Sequence, residues 1–320
     1  MKKFRMLFIL LLIYIFTVTA NAAQYLIPGG QVIGLELQDN TVTVAAFHEE
    51  LGENAKKAGL QEGDRILRID NTTITCAADV QKALSACRGK VKLSILRNGK
   101  TKQLSFQPAA TADGPMLGVY LKQGTTGVGT VTFYDPQQGT FAALGHGVNT
   151  KNGNLLSLRK GSVYEATVQA VRKGAVGTPG QLMGQVTHRE SLGTIAKNTQ
   201  QGIFGHLAAP KEVSALPAAT AEEVKVGAAT IRSTVAGTDL QEYSVEILKI
   251  YPNTGERTRN MLLKVTDPTL LETTGGIVQG MSGSPIIQDG KLVGAVTHVL
   301  VNDPTTGYGI FIENMLDAAA

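Results

Sequence analysis

From about residue 117 onward, the chain alternates short apolar segments with glycine-containing turns. Examples are Gly127–Tyr134, Ser162–Val171 and Leu292–Val301, and 36 of the 320 residues are glycine. Helical periodicity is almost absent until residues 312–320. Glycine supplies the turn conformations that connect short strands, so this pattern is typical of antiparallel β-proteins. It predicts a mainly β fold in which about 200 residues form a double barrel or sandwich as one unit.

The charge balance gives no reason to expect a nucleic-acid partner. The net charge is +4, and three of the positive charges (Lys2, Lys3 and Arg5) lie at the extreme N-terminus. Without residues 1–22, 27 basic and 26 acidic residues remain. Proteins that bind nucleic acids usually carry a basic patch with a much larger excess of positive charge.

The N-terminus has the pattern of an export signal. The basic residues precede an apolar run, Met6–Phe16, and Ala20-Asn21-Ala22 has the small residues of a cleavage site. Residues 1–22 are interpreted as a cleaved signal peptide or an uncleaved membrane anchor, and both remain open. In either case the positive residues stay inside, so the rest of the chain is expected outside the cytoplasm, with membrane association possible through residues 6–20.

The cysteines and histidines predict neither a disulfide nor a metal site. Cys76 and Cys87 flank a helical stretch at 77–86, which would separate them by roughly 16 Å. A disulfide requires the two Cα atoms to lie less than about 7 Å apart. The two cysteines and five scattered histidines lack metal-ligand spacing, so we expect no metal and no cofactor.

Residues 25–108 resemble a PDZ domain. The run from Ala58 to Asp70, Ala-Gly-Leu-Gln-Glu-Gly-Asp-Arg-Ile-Leu-Arg-Ile-Asp, carries the resemblance, and Asn98-Gly99 indicates a hairpin. The resemblance implies that a loop containing Ile33, Gly34 and Leu35 binds an extended peptide by its terminal carboxylate. A scaffold that docks on its own peptidase domain is the alternative. Residues 109–116 are interpreted as a linker, and 117–320 as the peptidase domain.

The most specific motif is Gly280-Met281-Ser282-Gly283-Ser284-Pro285, followed by a predicted strand–turn–strand. It resembles the nucleophile segment of trypsin-like proteases, which implies a β-barrel-type serine peptidase domain. A nucleophilic serine needs a tight turn beside free backbone amides, and flanking glycines permit that turn. Ser282 is the expected nucleophile, and the amides of Gly280 and Ser282 are the expected oxyanion hole.

A serine nucleophile also needs a base and an acid that orients it. His146 is the favoured base because small residues flank it and leave its ring accessible. His298 follows the nucleophile hairpin and is expected to line the substrate cleft or the core. The candidate acids are Asp135, Asp239 and Asp267, with Glu190 behind, and spacing alone does not choose among them.

Three further segments are specific in sequence: Ala143–Gly147, Asn198-Thr199 and above all Thr274–Pro285. Through these segments, nearly the whole chain resembles the stage IV sporulation protein B peptidases of endospore-forming bacteria. The resemblance implies His146 as base, Asp267 as orienting acid and Ser282 as nucleophile. Asp267 precedes Pro268, and its alternative role is that of a turn or cap residue.

The family resemblance also implies a biological role. The chain would be secreted from the forespore into the space between two membranes. There it would cleave a membrane-bound regulator, and itself, to trigger activation of a late sigma factor. The alternatives are a non-catalytic PDZ adaptor with a degenerate peptidase domain and an HtrA-like quality-control protease, although HtrA proteins usually place the protease before the PDZ domain.

Overall fold

A computed structural model describes residues 24–211, 213–251 and 258–320, apart from the side chain of Arg189. The predicted signal or anchor segment at 1–22 lies outside the described residues. The protein is mainly β, with 56% strand and 11% helix, as the glycine-punctuated pattern predicted. Among the described residues, none of the helices combines the length and apolar character needed to cross a bilayer.

The strands are numbered in chain order. They are β1 (Tyr25–Pro28), β2 (Val32–Phe47), β3 (Arg65–Ile69), β4 (Thr72–Thr73), β5 (Val91–Arg97), β6 (Lys100–Phe106), β7 (Ala109–Thr111), β8 (Gly114–Met116), β9 (Val119–Asp135), β10 (Thr140–Ala143), β11 (Lys160–Arg172), β12 (Gln181–Thr199), β13 (Gly202–Leu207), β14 (Leu216–Pro217), β15 (Gly227–Thr234), β16 (Leu240–Ile250), β17 (Met261–Val265), β18 (Pro285–Gln288), β19 (Lys291–Leu300) and β20 (Asp303–Phe311). The α-helices are α1 (Glu53–Lys57), α2 (Ala77–Ser85), α3 (Pro268–Thr274) and α4 (Ile312–Ala319), with a 3₁₀ turn at Ala221–Glu223.

Two rings of antiparallel strands form the peptidase part. In the first ring, the strands follow the order β9-β10-β13-β12-β11-β2, and the pairing of β2 with β9 closes it. The second ring is a closed barrel with the order β15-β16-β17-β20-β19-β18. The sequence predicted a double barrel or a sandwich, and the pairings form a double barrel.

The PDZ-like unit has a core of its own. Strands β3, β5 and β6 continue the sheet beyond β2, and helix α2 packs over them with Val80, Ala83 and Leu84 buried. The core also includes Val42 and Val44, from the second half of β2. Cys76 and Cys87, which lie on either side of α2, are free thiols.

Strands β2 and β9 belong to both units. The first half of β2 pairs with β9 from Thr130 to Thr125 inside the first barrel, and its second half pairs with β9 from Gln123 to Val119 inside the PDZ-like unit. The two halves meet at a register shift between Leu37 and Val42. The PDZ-like unit is therefore inserted into the first barrel and attached through two continuous strands.

This arrangement differs from the expected domain boundaries. Residues 25–37, expected in the PDZ domain, form strands of the peptidase sheet. Gln38-Asp39-Asn40 lies within β2, where the Asp39 carboxylate accepts hydrogen bonds from Thr41. Residues 109–116, expected as a linker, form the β7–β8 hairpin. The partners of residues 25–37 lie more than 80 residues away along the chain, so local composition does not reveal that pairing.

Candidate active site

Ser282 lies on a tight turn between α3 and β18. The Met281 amide donates to the Val278 carbonyl (3.1 Å), and the Ser284 amide donates to the Met281 carbonyl (3.0 Å). Gly280 has a φ of +101° within the first of these turns, a conformation that glycine adopts without steric cost. The Met281 side chain is buried, and the Ser282 side chain is presented at the surface of a cleft between the two barrels.

Gly283 brings the nucleophile turn against the first barrel. Its φ is +99°, and a Cβ built there would lie 2.1 Å from the carbonyl oxygen of Thr130 and 2.5 Å from the amide nitrogen of Leu144. The Thr130 amide donates to the Ser282 carbonyl (3.2 Å), and the Leu144 amide donates to the Thr130 carbonyl (3.2 Å). A side chain at position 283 would therefore push the nucleophile turn away from the strand and loop that carry the base.

Neighbouring groups hold the peptides of the expected oxyanion-hole amides in place. The Gln279 carbonyl accepts from the Leu182 amide (2.8 Å) and the Met281 carbonyl accepts from the Ser284 amide (3.0 Å), which fixes the two peptides that carry these N–H groups. The Thr130 hydroxyl donates to the Gly280 carbonyl, in the peptide between them (2.7 Å). A trans peptide directs its N–H away from its C=O, so the Gly280 amide points away from β12. Within the described residues, the amides of Gly280 and Ser282 donate to no other group.

His146 follows β10 on a strained turn. Leu144 and Gly145 both have positive φ values, +73° and +67°, and a non-glycine residue in this region costs about 1–3 kcal/mol. The Asn198 side chain anchors the following loop, since it accepts from the Val148 amide and donates to the Val148 carbonyl, both at 2.9 Å. The turn at Leu144-Gly145 and the hydrogen bonds of Asn198 therefore fix the position of the imidazole from both sides.

The surroundings of His146 suit a base. Its Nδ1 lies 3.0 Å from the carbonyl oxygen of Gly147, which favours the tautomer that donates from Nδ1 and leaves Nε2 as the acceptor. Burial lowers the pKa of His146, while the hydrogen bond to Gly147 opposes that shift. At neutral pH the ring is therefore uncharged and ready to accept a proton.

Ser282, His146 and His298 line one cleft of about 620 Å³. The Ser282 hydroxyl donates to the Thr297 carbonyl (2.8 Å), so it must rotate before it can donate to His146. The rings of His146 and His298 have centroids 5.2 Å apart and are tilted by 40°. The expectation that His298 lines the cleft or the core agrees with this position.

Asp267 does not lie with these residues. Its carboxylate caps helix α3, where it accepts from the Leu270 amide (3.0 Å), and it also accepts from the Ser244 amide (3.3 Å). Asp135 instead accepts from Gln24 (2.8 Å) and from the amides that follow it in a turn. The cleft has no aspartate or glutamate among the described residues that line it. The structure thus brings Ser282 and His146 together and places Asp267 in the capping role that its position before Pro268 also allowed.

The expected carboxylate-binding residues lie inside the first barrel. Ile33, Gly34 and Leu35 pair with β9 on one side and with β11 on the other. A Cβ at Gly34 would lie 2.6 Å from a methyl group of Val186. With both edges of the strand occupied, no peptide can add beside this segment, and the predicted carboxylate-binding loop is wrong for that reason.

The sequence alone assigned no role to Thr130 or Asn198 in positioning the catalytic residues. Thr130 supports the Gly280 peptide from a strand 150 residues away, and no local signal indicates that contact. Asn198 lies in the family-matching Asn198-Thr199 pair, which was a usable signal. Within the described residues, no cluster of three or more His, Cys, Asp or Glu side chains is placed to hold a metal ion.

Comparison with family models decides the assignment of the chain. The model of the SpoIVB peptidase S55 family matches residues 114–316, more than half of the sequence. The chain belongs to the SpoIVB peptidase S55 family. It is therefore a serine peptidase, and Ser282 and His146 lie within the matched range. A PDZ domain model matches residues 32–107, the range that includes the shared strand β2.

Other similarities are more distant. Two proteins named as zinc metalloproteases, from Brucella suis and Brucella melitensis, are each 29% identical over 127 residues. Those matches cover 39% of this S55 chain and 32% of the relatives' length.

Two solved structures match the chain at low similarity. The active form of the Rv3671c protease from M. tuberculosis is 16% identical, with a TM-score of 0.37, over 60% of this chain and 72% of that one. The HtrA-type protease AlgW with a decapeptide is 11% identical, with a TM-score of 0.35, over 65% of this chain and 57% of that one.

Proposed function

We propose that this peptidase is an exported serine endopeptidase of sporulation signalling, in which Ser282 attacks the scissile carbonyl and His146 is the general base. The observation that carries the catalytic assignment is the contact at Gly283. It holds Ser282, together with the amides of Gly280 and Ser282, against the strand and loop that position His146. An ordinary glycine-rich surface loop would not be expected to combine this contact with two amides directed at a cleft.

The geometry supports an acyl-enzyme reaction. The Ser282 hydroxyl leaves the Thr297 carbonyl, gives its proton to Nε2 of His146, and its oxygen bonds to the substrate carbonyl carbon. The amides of Gly280 and Ser282 then donate to the oxyanion. His146 passes the proton to the leaving amine as the peptide bond breaks, and a water molecule hydrolyses the ester by the same steps in reverse.

One edge of β9 suits an extended polypeptide substrate. The N–H and C=O groups of Thr130 face Ser282 and Leu144, on the edge away from β2. Backbone groups alternate along a strand, so Val128 and Thr126 direct theirs to that same edge. Both residues line the cleft, and within the described part of the chain that edge has no backbone partner there. A substrate can therefore add to β9 as a strand beside the nucleophile.

The biological role rests on the family. We propose that residues 1–22 direct the chain across the cytoplasmic membrane into the forespore intermembrane space, and that a membrane-bound regulator is the substrate, together with the chain itself. Release of that regulator would trigger activation of a late sigma factor. Strands β2 and β9 run continuously from the PDZ-like unit into the first barrel, so a partner bound to that unit would act directly on the strand that lines the cleft.

The test compares residues 23–320 of the wild-type protein with Ser282→Ala and with Ser284→Ala as a matched control. Ser284 lies on the same turn but is buried, and its hydroxyl donates to Ser233. We expect Ser282→Ala to abolish cleavage of casein and of the chain itself, while Ser284→Ala keeps most of the activity. Equal cleavage by the wild type and Ser282→Ala would remove the nucleophile assignment. Absence of cleavage by all three proteins would favour the non-catalytic adaptor.

A further inference from the structure

A second cavity opens beside the catalytic cleft and shares a wall with it. Its volume is about 720 Å³, and Thr126, Gly127 and Val128 of β9 line both cavities. The edge of β9 at these residues is the edge on which an extended substrate can pair. A substrate strand there would therefore direct some of its side chains into the second cavity.

The register of the sheet places Glu36 on the same face as Thr126. Glu36 of β2 lies opposite Thr126 on one side and opposite Ser162 of β11 on the other. Residues directly opposite each other in a sheet have their side chains on the same face. A substrate residue opposite Thr126 would therefore have its side chain in line with Thr126 and Glu36, and Glu36 lines the second cavity.

Two neighbouring side chains hold the Glu36 carboxylate in place. The Tyr164 hydroxyl donates to Oε2 (2.9 Å), and the Gln38 side-chain amide donates to Oε1 (2.7 Å). The hydrogen bond to Glu36, followed by burial, raises the pKa of Tyr164, so its hydroxyl remains a donor at neutral pH. A carboxylate has about four acceptor positions on its two oxygens. This oriented group therefore has capacity left for a cationic donor.

Apolar side chains form another wall of the cavity. Met183 and Val186 of β12 line it and are 48% and 43% exposed. A Cβ built at Gly34 would lie 2.6 Å from Cγ2 of Val186, so Val186 lies directly against this face of the sheet. Exposed apolar side chains beside a charged group suit a ligand side chain that has an apolar stem and a charged end.

The distance across the sheet favours a long side chain. Neighbouring strands lie about 4.8 Å apart, so a substrate strand beside β9 would lie two such spacings, on the order of 10 Å, from β2. The side chain of a residue opposite Thr126 must extend past that threonine to reach Glu36. Lysine and arginine combine the required length with a positive charge, and their stems pack on apolar surface.

We propose that this cavity is a substrate subsite for a lysine or arginine side chain, and that Glu36 is its specificity-determining residue. The subsite takes the substrate residue that pairs with Thr126, and the carboxylate held by Tyr164 and Gln38 receives its positive charge. This inference rests on the proposed function, because it names the class of polypeptide that the same cleft accepts.

The cleavage sites in a library of random dodecapeptides test the subsite. In the wild type, we expect lysine and arginine to be enriched about fivefold at one position relative to the scissile bond, the effect of a partly exposed ion pair. Glu36→Gln keeps the shape of the side chain and should lose the enrichment at that position alone. Glu36→Lys should enrich aspartate and glutamate there instead.

Glu165→Gln is the matched control. Glu165 is the next residue to Tyr164 on β11, and successive side chains of a strand point to opposite faces. Its carboxylate accepts from the Thr187 hydroxyl (3.0 Å). This variant removes the same charge from the same sheet and should keep the wild-type preference. Loss of the preference in both variants would assign it to the overall charge of the surface and overturn the inference.

Peptide binding separates this inference from the proposed function. Immobilised Ser282→Ala protein retains peptides from the same library without hydrolysing them through Ser282, and sequencing of the bound fraction gives its preference. Enrichment of lysine and arginine by Ser282→Ala, and its loss in the Ser282→Ala/Glu36→Gln double variant, supports the inference even if the wild type cleaves nothing. Equal enrichment by these two proteins overturns it, and if Glu36→Lys does not fold, the isosteric Glu36→Gln decides.

Discussion

The two barrels each contribute six strands, but they are built differently. The second barrel uses one stretch of chain, residues 227–311, and most of its strands pair with the next strand in sequence. The first barrel is closed by β2 and β9, and the PDZ-like unit lies between them in sequence. The second barrel supplies Ser282 from the turn before β18 and His298 from β19, whereas the first supplies His146 from a loop that distant residues hold in place.

This difference indicates which part of the site is most sensitive to substitution. The second barrel presents the nucleophile on a turn that its own hydrogen bonds define. The orientation of that turn toward the base depends on Thr130 and Leu144, which belong to the first barrel. Changes at the contact between the barrels should therefore affect catalysis more than comparable changes inside either one.

The largest effect is expected for Gly283→Ala. The added methyl group collides with backbone atoms of Thr130 and Leu144, so the turn must move away from His146. A displacement of about 1 Å costs on the order of 10²-fold in rate, and kcat/KM of the ester probe should fall by at least that factor. Gly290→Ala is the matched control, because its φ is also positive but a Cβ there meets nothing within 4 Å. Similar activities in the two variants would show that the barrel contact does not position Ser282.

A smaller effect is expected for Thr130→Val. The substitution removes the hydroxyl that holds the Gly280 carbonyl while keeping the side-chain shape. Loss of a direct oxyanion donor costs roughly 10²–10³ in kcat. Thr130 holds the peptide that lies between the two donor peptides, so its loss should cost less, about tenfold, with little change in KM. Thr132→Val, on the same strand, is the control because the Thr132 hydroxyl is buried and has no hydrogen-bond partner among the residues that the structure describes. Equal kcat in both variants would contradict a role for Thr130.

Asp64→Ala tests whether the PDZ-like unit and the first barrel unfold together. The Asp64 carboxylate is buried and forms two hydrogen bonds of 2.6 Å with Arg97. Its loss should reduce the free energy of unfolding by about 2 kcal/mol. Calorimetry should still show a single transition, because β2 and β9 cross both units. Lys57→Ala, which removes an exposed ion pair with Glu53, should change stability by less than about 0.5 kcal/mol. Two separate transitions would show that the shared strands do not couple the units.

The smallest effect on rate is expected for Asp267. Because its carboxylate caps α3, Asp267→Ala should cost about 1 kcal/mol of stability. Asp267→Asn should cost less, since asparagine is also a good cap, and kcat should change by less than about threefold in both. A fall in kcat of about 10⁴-fold in a folded Asp267→Asn protein would instead assign Asp267 to the triad.

The comparison also explains what the sequence could predict. Ser282, its flanking glycines and the β18–β19 hairpin form one local pattern, and the loop around His146 is equally local. The role of β2 was predicted wrongly because Ile33–Leu35 read as a PDZ loop, while their actual partners lie near residues 127–129 and 163–165. The capping role of Asp267 was visible in the Asp-Pro pair, but its distance from His146 depends on how both barrels close.

The central claim is that Ser282 is activated by His146 across the barrel contact, and covalent labelling tests it most directly. A diphenyl phosphonate reacts with activated serine hydroxyls, and mass spectrometry of the digested protein locates the adduct. We expect one equivalent of label on Ser282, and labelling in His146→Ala slower by about 10² or more. A label on another serine, or equal labelling rates in the wild type and His146→Ala, would contradict the account.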